Sequence, residues 1–253
     1  MSIPGQSTPP NIAAIVLAAG WSSRMGAFKP LLPFGEETVL GHVISTMAKA
    51  RIDRIYVVVG NEAERMIPVV EAYGAVPVVN AAFAEGMMSS IKAGIAALPD
   101  TVDGVMILPV DVPLVRAGTL AQIAGRIGAD EAIVLRPTFR GKCGHPPFVS
   151  RQLFQEILAA APEMTLRDIL DRHQQDTRSL PVIDSGILRD MDYSDEYRCL
   201  AACLQHRLQP DETECAAMQD AIGTPEPTRR HCAVVAELAV EIAARLVAKG
   251  IAI

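Results

Sequence analysis

Residues 11–35 read NIAAIVLAAGWSSRMGAFKPLLPFG, and the fold follows from how this stretch divides. Ile12 to Leu17 is an unbroken run of small and branched apolar residues, the pattern of a strand covered on both faces. It stops at Ala18-Ala19-Gly20, and small hydroxyls, Arg24, Gly26 and Lys29 follow before the chain turns apolar again. A buried strand that empties into a glycine-containing, cationic loop predicts an α/β protein with its chemistry at the strand tip.

Downstream the alternation repeats. The spacing of apolar residues predicts a helix from Thr38 to Ala50, a strand in RIYVVVG, a helix from Glu62 to Tyr73 closed by Gly74, and a strand in VPVVN reaching Asn80. A helix from Met87 to Leu98 ends at Pro99, GVMILPV runs as a strand into Asp111, and a helix around Ala117 to Ile127 precedes a strand in EAIVLRP and a shorter apolar piece in PPFVS. Short strands separated by helices of ten or more residues build βαβ units. The expected architecture is α/β, three-layer and doubly wound, with a mostly parallel sheet. In such sheets ligands bind beyond the carboxyl ends of the strands, here after Leu17, Val59, Val79, Val110 and Leu135.

Composition agrees. Half of the 253 residues are hydrophobic but only 4% are aromatic, so the core is aliphatic, as helix-covered parallel strands require. Lys plus Arg number 23 and Asp plus Glu 29, a net charge of −6, which argues against a nucleic-acid or anionic-membrane binder and requires any anion to be held locally. The first residues, MSIPGQSTPPN, carry neither a basic nor an apolar targeting region, and the expected location is the cytoplasm. Five cysteines at irregular spacing suit reduced thiols, and Cys199 and Cys203, sharing a helix face without a second pair, make a poor zinc site. His42, His173 and His206 fall in helical patterns and read as structural.

The opening loop is neither of two familiar phosphate binders. Gly20 and Gly26 enclose five residues where a Walker A loop has four, Lys29 precedes a proline, and no G-x-G-x-x-G follows the strand. It still has the parts of a triphosphate cradle. Ala19 and Gly20 permit close backbone approach, Ser22 and Ser23 offer hydroxyl donors, and Arg24 and Lys29 supply positive charge. Asp111, at the tip of GVMILPV, suits a Mg²⁺ ion that also takes phosphate oxygens and water. A second carboxylate would come from RDMDYSDEY: Ser194, Asp195 and Glu196 read as a helix start, which leaves Asp190 and Asp192. Arg140, Lys142 and His145 in TFRGKCGHPPF suit a phosphorylated acceptor, and Asn80 with Gly86, Ser89 and Ser90 suits a base or ribose.

LAAGWSSRMGAFKPLLPFG, NAAFAEGMMSSIKAG, LPVDVP, RGKCGHPPFVS, TLRDIL and VIDSGILRDMDYSDEY together resemble the nucleotidyltransferases that include molybdenum cofactor cytidylyltransferases, over roughly residues 11 to 205. The resemblance implies a Rossmann-like nucleotidyltransferase fold and transfer of CMP from CTP to the phosphate of molybdopterin, with release of pyrophosphate. It implies a nucleotide site at Leu17, Ala18, Ala19, Gly20, Ser22, Ser23, Arg24, Lys29, Asn80, Gly86, Ser89, Ser90 and Asp111. Arg24, Lys29 and Asp111 would be catalytic, Mg²⁺ would sit on Asp111 and Asp192, and a molybdopterin-type acceptor on Arg140, Lys142 and His145. Ala18-Ala19, where guanylyl-transferring relatives tend to have Gly-Gly, implies CTP. A molybdoenzyme or accessory protein would receive the product. Guanylyl transfer, a sugar-phosphate acceptor and a non-catalytic nucleotide-binding protein are the alternatives.

The texture changes near residue 208, predicting a domain of residues 11–207 and a helical segment of 208–253. Glu226 to Lys249 forms an amphipathic pattern with Val235, Leu238, Ile242 and Leu246 on one stripe. TPEPTRRHCAVVAELAVEIAARL resembles the start of an HD-type phosphohydrolase domain, with His231 at the position of that family's early metal-binding His. No His or Asp follows His231, so an incomplete domain without phosphohydrolase activity is expected.

Overall fold

The computed structural model describes residues 10–21, 25–127 and 132–251. In chain order the elements are β1 (Ile12–Leu17), a hairpin of β2 (Pro33–Phe34) and β3 (Glu37–Thr38), α1 (Val39–Lys49), β4 (Arg54–Val59), α2 (Ala63–Ala72), β5 (Val76–Val79), α3 (Met87–Ala96) and β6 (Gly104–Pro109). Then come α4 (Ala117–Arg126), β7 (Val134–Phe139), β8 (Lys142–Cys143), β9 (Phe148–Ser150), α5 (Phe154–Ala159), α6 (Leu166–Arg172), β10 (Thr177–Pro181), α7 (Ser194–Leu204), α8 (Glu212–Ala221) and α9 (Glu226–Ala248). The chain divides into two compact units, Met1–Gln209 and Pro210–Ile253.

The first unit is built on a sheet in the order β10-β7-β9-β6-β1-β4-β5, with β8 added to β7. β1 lies in its middle, paired in parallel with β4 and β6, and Ala13, Ala14, Ile15 and Val16 are wholly buried. Alternate β1 side chains, Ala13, Ile15 and Leu17, pack with Ile91 and Ile95 of α3, Ile157 of α5 and Ile169 of α6. The other face of the sheet is covered by α1, whose Leu40, Ile44 and Met47 are buried and which packs against α2 and α4. Each such buried aliphatic side chain contributes about 1.5–3 kcal/mol, which is why the layering is specified by sequence pattern. Thr38 starts α1 by accepting a hydrogen bond from the Gly41 amide at 3.0 Å. The register sets the tips level: Leu17 stands opposite Val58 and Pro109. The architecture is therefore the doubly wound, mostly parallel α/β fold that the alternation predicts.

Two strands depart from the parallel rule, the two-residue β8 beside β7 and the longer β9. β9, in the short PPFVS piece, runs antiparallel between β6 and β7, with Phe148 opposite Met106 and Leu135. The reversal comes from a hairpin: Thr138 pairs with Cys143 and Phe139 with Lys142, which leaves Arg140 and Gly141 as a two-residue turn with φ of 49° and 79°. Positive φ at both positions is the geometry that tight hairpins favour. The chain then re-enters the sheet from its carboxyl edge, which brings residues 140–147 to the same edge as the tips of β1 and β6.

In the second unit α8 opens with reciprocal capping, the Asp211 carboxylate accepting from the Glu214 amide at 2.9 Å and Glu214 from the Asp211 amide at 3.1 Å. α9 forms over nearly the predicted span, yet none of its residues is buried. His231 lies exposed on it. Among the described residues no helix is long and apolar enough to cross a membrane.

Candidate active site

Strand order reverses on either side of β1: the chain moves outward to β4 and β5, then crosses back to β6. That reversal opens a crevice above the tips of β1 and β6. Beyond Leu17 the backbone stays anchored, the Ala18 amide donating to the Val58 carbonyl at 2.9 Å, the Ala19 carbonyl accepting from the Asn61 amide, and the Leu17 carbonyl accepting from the Val110 amide at 3.0 Å. Ala18 and Ala19 are buried, and Gly20 has open space where a side chain would stand. Together with Lys29, the segment from Phe83 to Ser90 and the exit of β6 through Asp111, they enclose a cavity of about 300 Å³. Ser22, Ser23 and Arg24 lie outside the described residues.

Charge is concentrated at one end of this cavity. Lys29 sits on a single 3-10 turn started by Phe28 and stiffened by Pro30, and only 7% of its surface is exposed. Its Nζ lies 3.6 Å from Asp111 Oδ2 and 3.2 Å from Asp192 Oδ1. Burial pushes the Asp111 carboxyl above the usual carboxylate range; Lys29 opposes this, and the charges of Asp192 and Asp190 reinforce it. Asp192 reaches this position through backbone contacts. The Met191 amide donates to the Asp111 carbonyl at 3.0 Å, and the Glu196 carboxylate accepts from the amides of Asp192 and Tyr193 at 2.6 and 2.9 Å, capping α7. Glu196 thus serves the helix, Asp195 pairs with Arg198, and Asp192 Oδ1 is turned to Lys29.

The residues after β5 divide between two tasks. Asn80 is buried, its Nδ2 donating to Ser89 Oγ at 2.9 Å and to Ser90 Oγ at 3.1 Å, and its Oδ1 accepting from the Ala82 amide at 2.9 Å. It braces the 80–90 segment from behind. Asn80 and Ser89 border a separate 210 Å³ depression, while Gly86 and Ser90 line the main cavity. Gly86, with φ of 101°, takes the turn into α3 that other residues would resist.

The hairpin segment lies at the same edge of the sheet as the tips of β1 and β6. Arg140 occupies the turn, and Lys142 is exposed on β8. His145 accepts no hydrogen bond at its buried Nδ1 and donates none there among the described residues. Burial lowers its pKa, with Arg167 and Arg136 acting in the same direction and Asp190 opposing. The charge of Asp190 acts on both His145 and Asp111. Arg140, Lys142 and His145 are not part of the cavity wall.

Residues 14–177 match the MobA-like NTP transferase domain. The chain belongs to that family. The matched MobA-like segment contains the β1 loop, Lys29, Asp111 and the hairpin, whereas Asp192 follows it. The bifunctional protein GlmU of Mycobacterium sp. strain KMS is 33% identical over 143 residues, 53% of this chain and 29% of that protein. The chain thus matches less than a third of the length of such relatives. Among solved structures, Rv0371c of Mycobacterium tuberculosis H37Rv superposes with a TM-score of 0.67 at 28% identity, covering 77% of this chain and 100% of that one. A manganese complex of Rv0371c superposes at 0.63 with 25% identity, over 77% of this chain and all of that one.

Within this MobA-like domain, three cavity-lining side chains escape a reading by motif: Trp21, Phe83 and Met87. Trp21 is the chain's single tryptophan, and its place directly after Gly20, among glycine and serine, is the one signal that could have marked it.

Proposed function

We propose that this chain transfers CMP from CTP to the phosphate of a molybdopterin-type acceptor. The observation that carries the reading is the pair of carboxylates, Asp111 and Asp192, closing on one cation, the Lys29 ammonium, beside the turn that ends β1. Two oxygens that already share an ammonium can share a divalent ion. Among the described residues no cluster of three or more His, Cys, Asp or Glu side chains is placed to hold a metal. A site with two carboxylates suits Mg²⁺, which keeps its remaining positions for phosphate oxygens and water. Bound there, Mg²⁺ would offset phosphate charge and polarise the α-phosphate.

The chain's own groups then position the reactants. Backbone at Ala19 and Gly20 approaches the triphosphate, and the Lys29 ammonium neutralises it from the opposite side, with Arg24 joining from the loop. An oxygen of the acceptor phosphate attacks the α-phosphorus of CTP in line, the bond to the β-phosphate oxygen breaks, and pyrophosphate leaves. A phosphate monoester is already an anion, so no strong general base is needed; positioning and charge neutralisation supply most of the acceleration. The acceptor phosphate would be met by Arg140, Lys142 and His145 of the hairpin segment, which lies at the same edge of the sheet as the β1 and β6 tips. Ala18-Ala19 supports CTP over GTP.

Thermal shift with CTP, GTP, UTP and ATP, each with and without Mg²⁺, tests nucleotide choice, and pyrophosphate release with a molybdopterin acceptor tests transfer. A larger shift with GTP would defeat the cytidylyl assignment. Release with a sugar phosphate and none with molybdopterin would move the acceptor, and binding without release from any acceptor would make the protein a nucleotide sensor.

A further inference from the structure

Apart from Lys29 and Asp111, the cavity lining carries no charged side chain among the described residues, and part of it is apolar. That part is walled by Trp21, Phe83, Ala84 and Met87. Trp21 touches Phe83 with ring centroids 5.0 Å apart and planes at 53°. It leaves 59% of its surface in solvent. Phe83, by contrast, is half-buried and packs directly on Gly60: a Cβ at residue 60 would stand 2.6 Å from Phe83 Cβ and 2.9 Å from Ala19 Cβ. The absence of a side chain at Gly60 lets the β1 loop, the tip of β4 and the 83–90 segment converge, and Phe83 props the indole at the cavity mouth. Met87, 61% exposed, adds a polarisable thioether to the same wall. Apolar side chains gathered on one open wall beside polar groups mark a surface built to be covered by a ligand.

A ligand that fits this cavity has an anionic end for Lys29 and a flat, uncharged end for the aromatic wall. Resting on the triphosphate reading above, we infer that Trp21, propped by Phe83, is the platform on which the nucleotide's base stacks. It sets how tightly a nucleotide binds relative to a bare polyphosphate. Stacking on an aromatic face tolerates every base, so the platform supplies affinity and leaves the choice among bases to polar groups.

The chain's single tryptophan makes the test direct. Titration of the intact protein with CTP and Mg²⁺, without any acceptor, is expected to change Trp21 fluorescence saturably, whereas inorganic tripolyphosphate binds and leaves it nearly unchanged. By calorimetry Trp21→Ala should weaken CTP about 5- to 100-fold, the span that loss of one stacking face produces, and Trp21→Phe should recover most of the loss. Tripolyphosphate affinity should be the same in all three proteins, while Lys29→Met weakens both ligands. CTP binding that is equally tight in Trp21→Ala, or a fluorescence change that appears only when a pterin acceptor is added, overturns the platform and leaves the triphosphate site standing. If neither CTP nor tripolyphosphate binds the unaltered protein, both readings fall.

Discussion

Replacing Lys29 by methionine keeps the buried stem of the side chain and removes its charge. At 3.6 and 3.2 Å, each carboxylate attracts the ammonium by about 5 kcal/mol at an effective dielectric constant of about 20. Most of this is offset by the cost of burying the ammonium, and the side chains of Asp111 and Asp192 keep 28% and 38% exposure, so solvent screens them further. Loss of the lysine also leaves two carboxylates facing each other without it. A net destabilisation of about 1–3 kcal/mol follows, which for a unit of this size lowers Tm by roughly 3–10 °C. Differential scanning calorimetry reads this in metal-free buffer. Saturating Mg²⁺ or Mn²⁺ should then raise the variant's Tm by more than the unaltered protein's, since the divalent ion restores positive charge between the same oxygens, while pyrophosphate release stays at least about tenfold down. A variant that melts like the parent, with no larger response to divalent ions, would show that the three side chains do not share a cation site.

Three further outcomes are expected. Because burial raises the Asp111 pKa in the fold, its contribution to stability is fully present below the unfolded pKa and is lost as pH rises through the folded value. Asp111→Asn should therefore melt higher than the parent at neutral pH, with the advantage shrinking as pH falls through the carboxylate range, and should lose at least about tenfold in turnover; a lower Tm at pH 7 would contradict the dominance of burial. Asp184, wholly buried, accepts from Thr119 Oγ1 at 2.6 Å, from the Arg116 amide at 2.9 Å and from the Gly186 amide at 3.0 Å, and pairs with Arg207. Asp184→Ala should cost about 3–5 kcal/mol by urea denaturation, and a change below about 1 kcal/mol would refute the accounting. Gly60→Ala should displace Phe83 or the β1 loop, destabilising by about 1–3 kcal/mol and raising the KM for nucleotide more than it lowers kcat; unchanged kinetics would mean that the convergence at Gly60 is not used.

The fold was legible wherever one segment carries its own signal. The run from Ile12 to Leu17 is bounded by a loop, and α1 and α3 have apolar faces at helical spacing, so element type and order could be read from neighbours in sequence. β9 was less legible because nothing within PPFVS fixes its direction. That is set by the Arg140-Gly141 turn and by pairing with β6, where the Phe148 ring occupies the space that a side chain at Gly104 would take. The stripe on α9 was legible too, but periodicity specifies a face and not what covers it. In the site, Asn80 read as a ligand contact because a polar residue at a strand tip usually faces the crevice; here its amide satisfies Ala82, Ser89 and Ser90. Trp21 carries no periodic signal, because a lone aromatic in a turn belongs to neither a helical nor a strand pattern.

Asp192 shows why a site is harder to read than a fold. Four acids lie within RDMDYSDEY, and local rules remove only those that a helix start employs. What brings Asp192 to the site is the Met191 amide bonded to the Asp111 carbonyl at 3.0 Å, a contact between segments far apart in the chain. The next residue, Asp192, then meets the Lys29 ammonium at 3.2 Å, while Met191 itself is wholly buried. The meeting of Asp111, Asp192 and Lys29 is therefore the consequence of one long-range backbone contact, and the strand order that opens the crevice at β1 and β6 gives that contact a place to act.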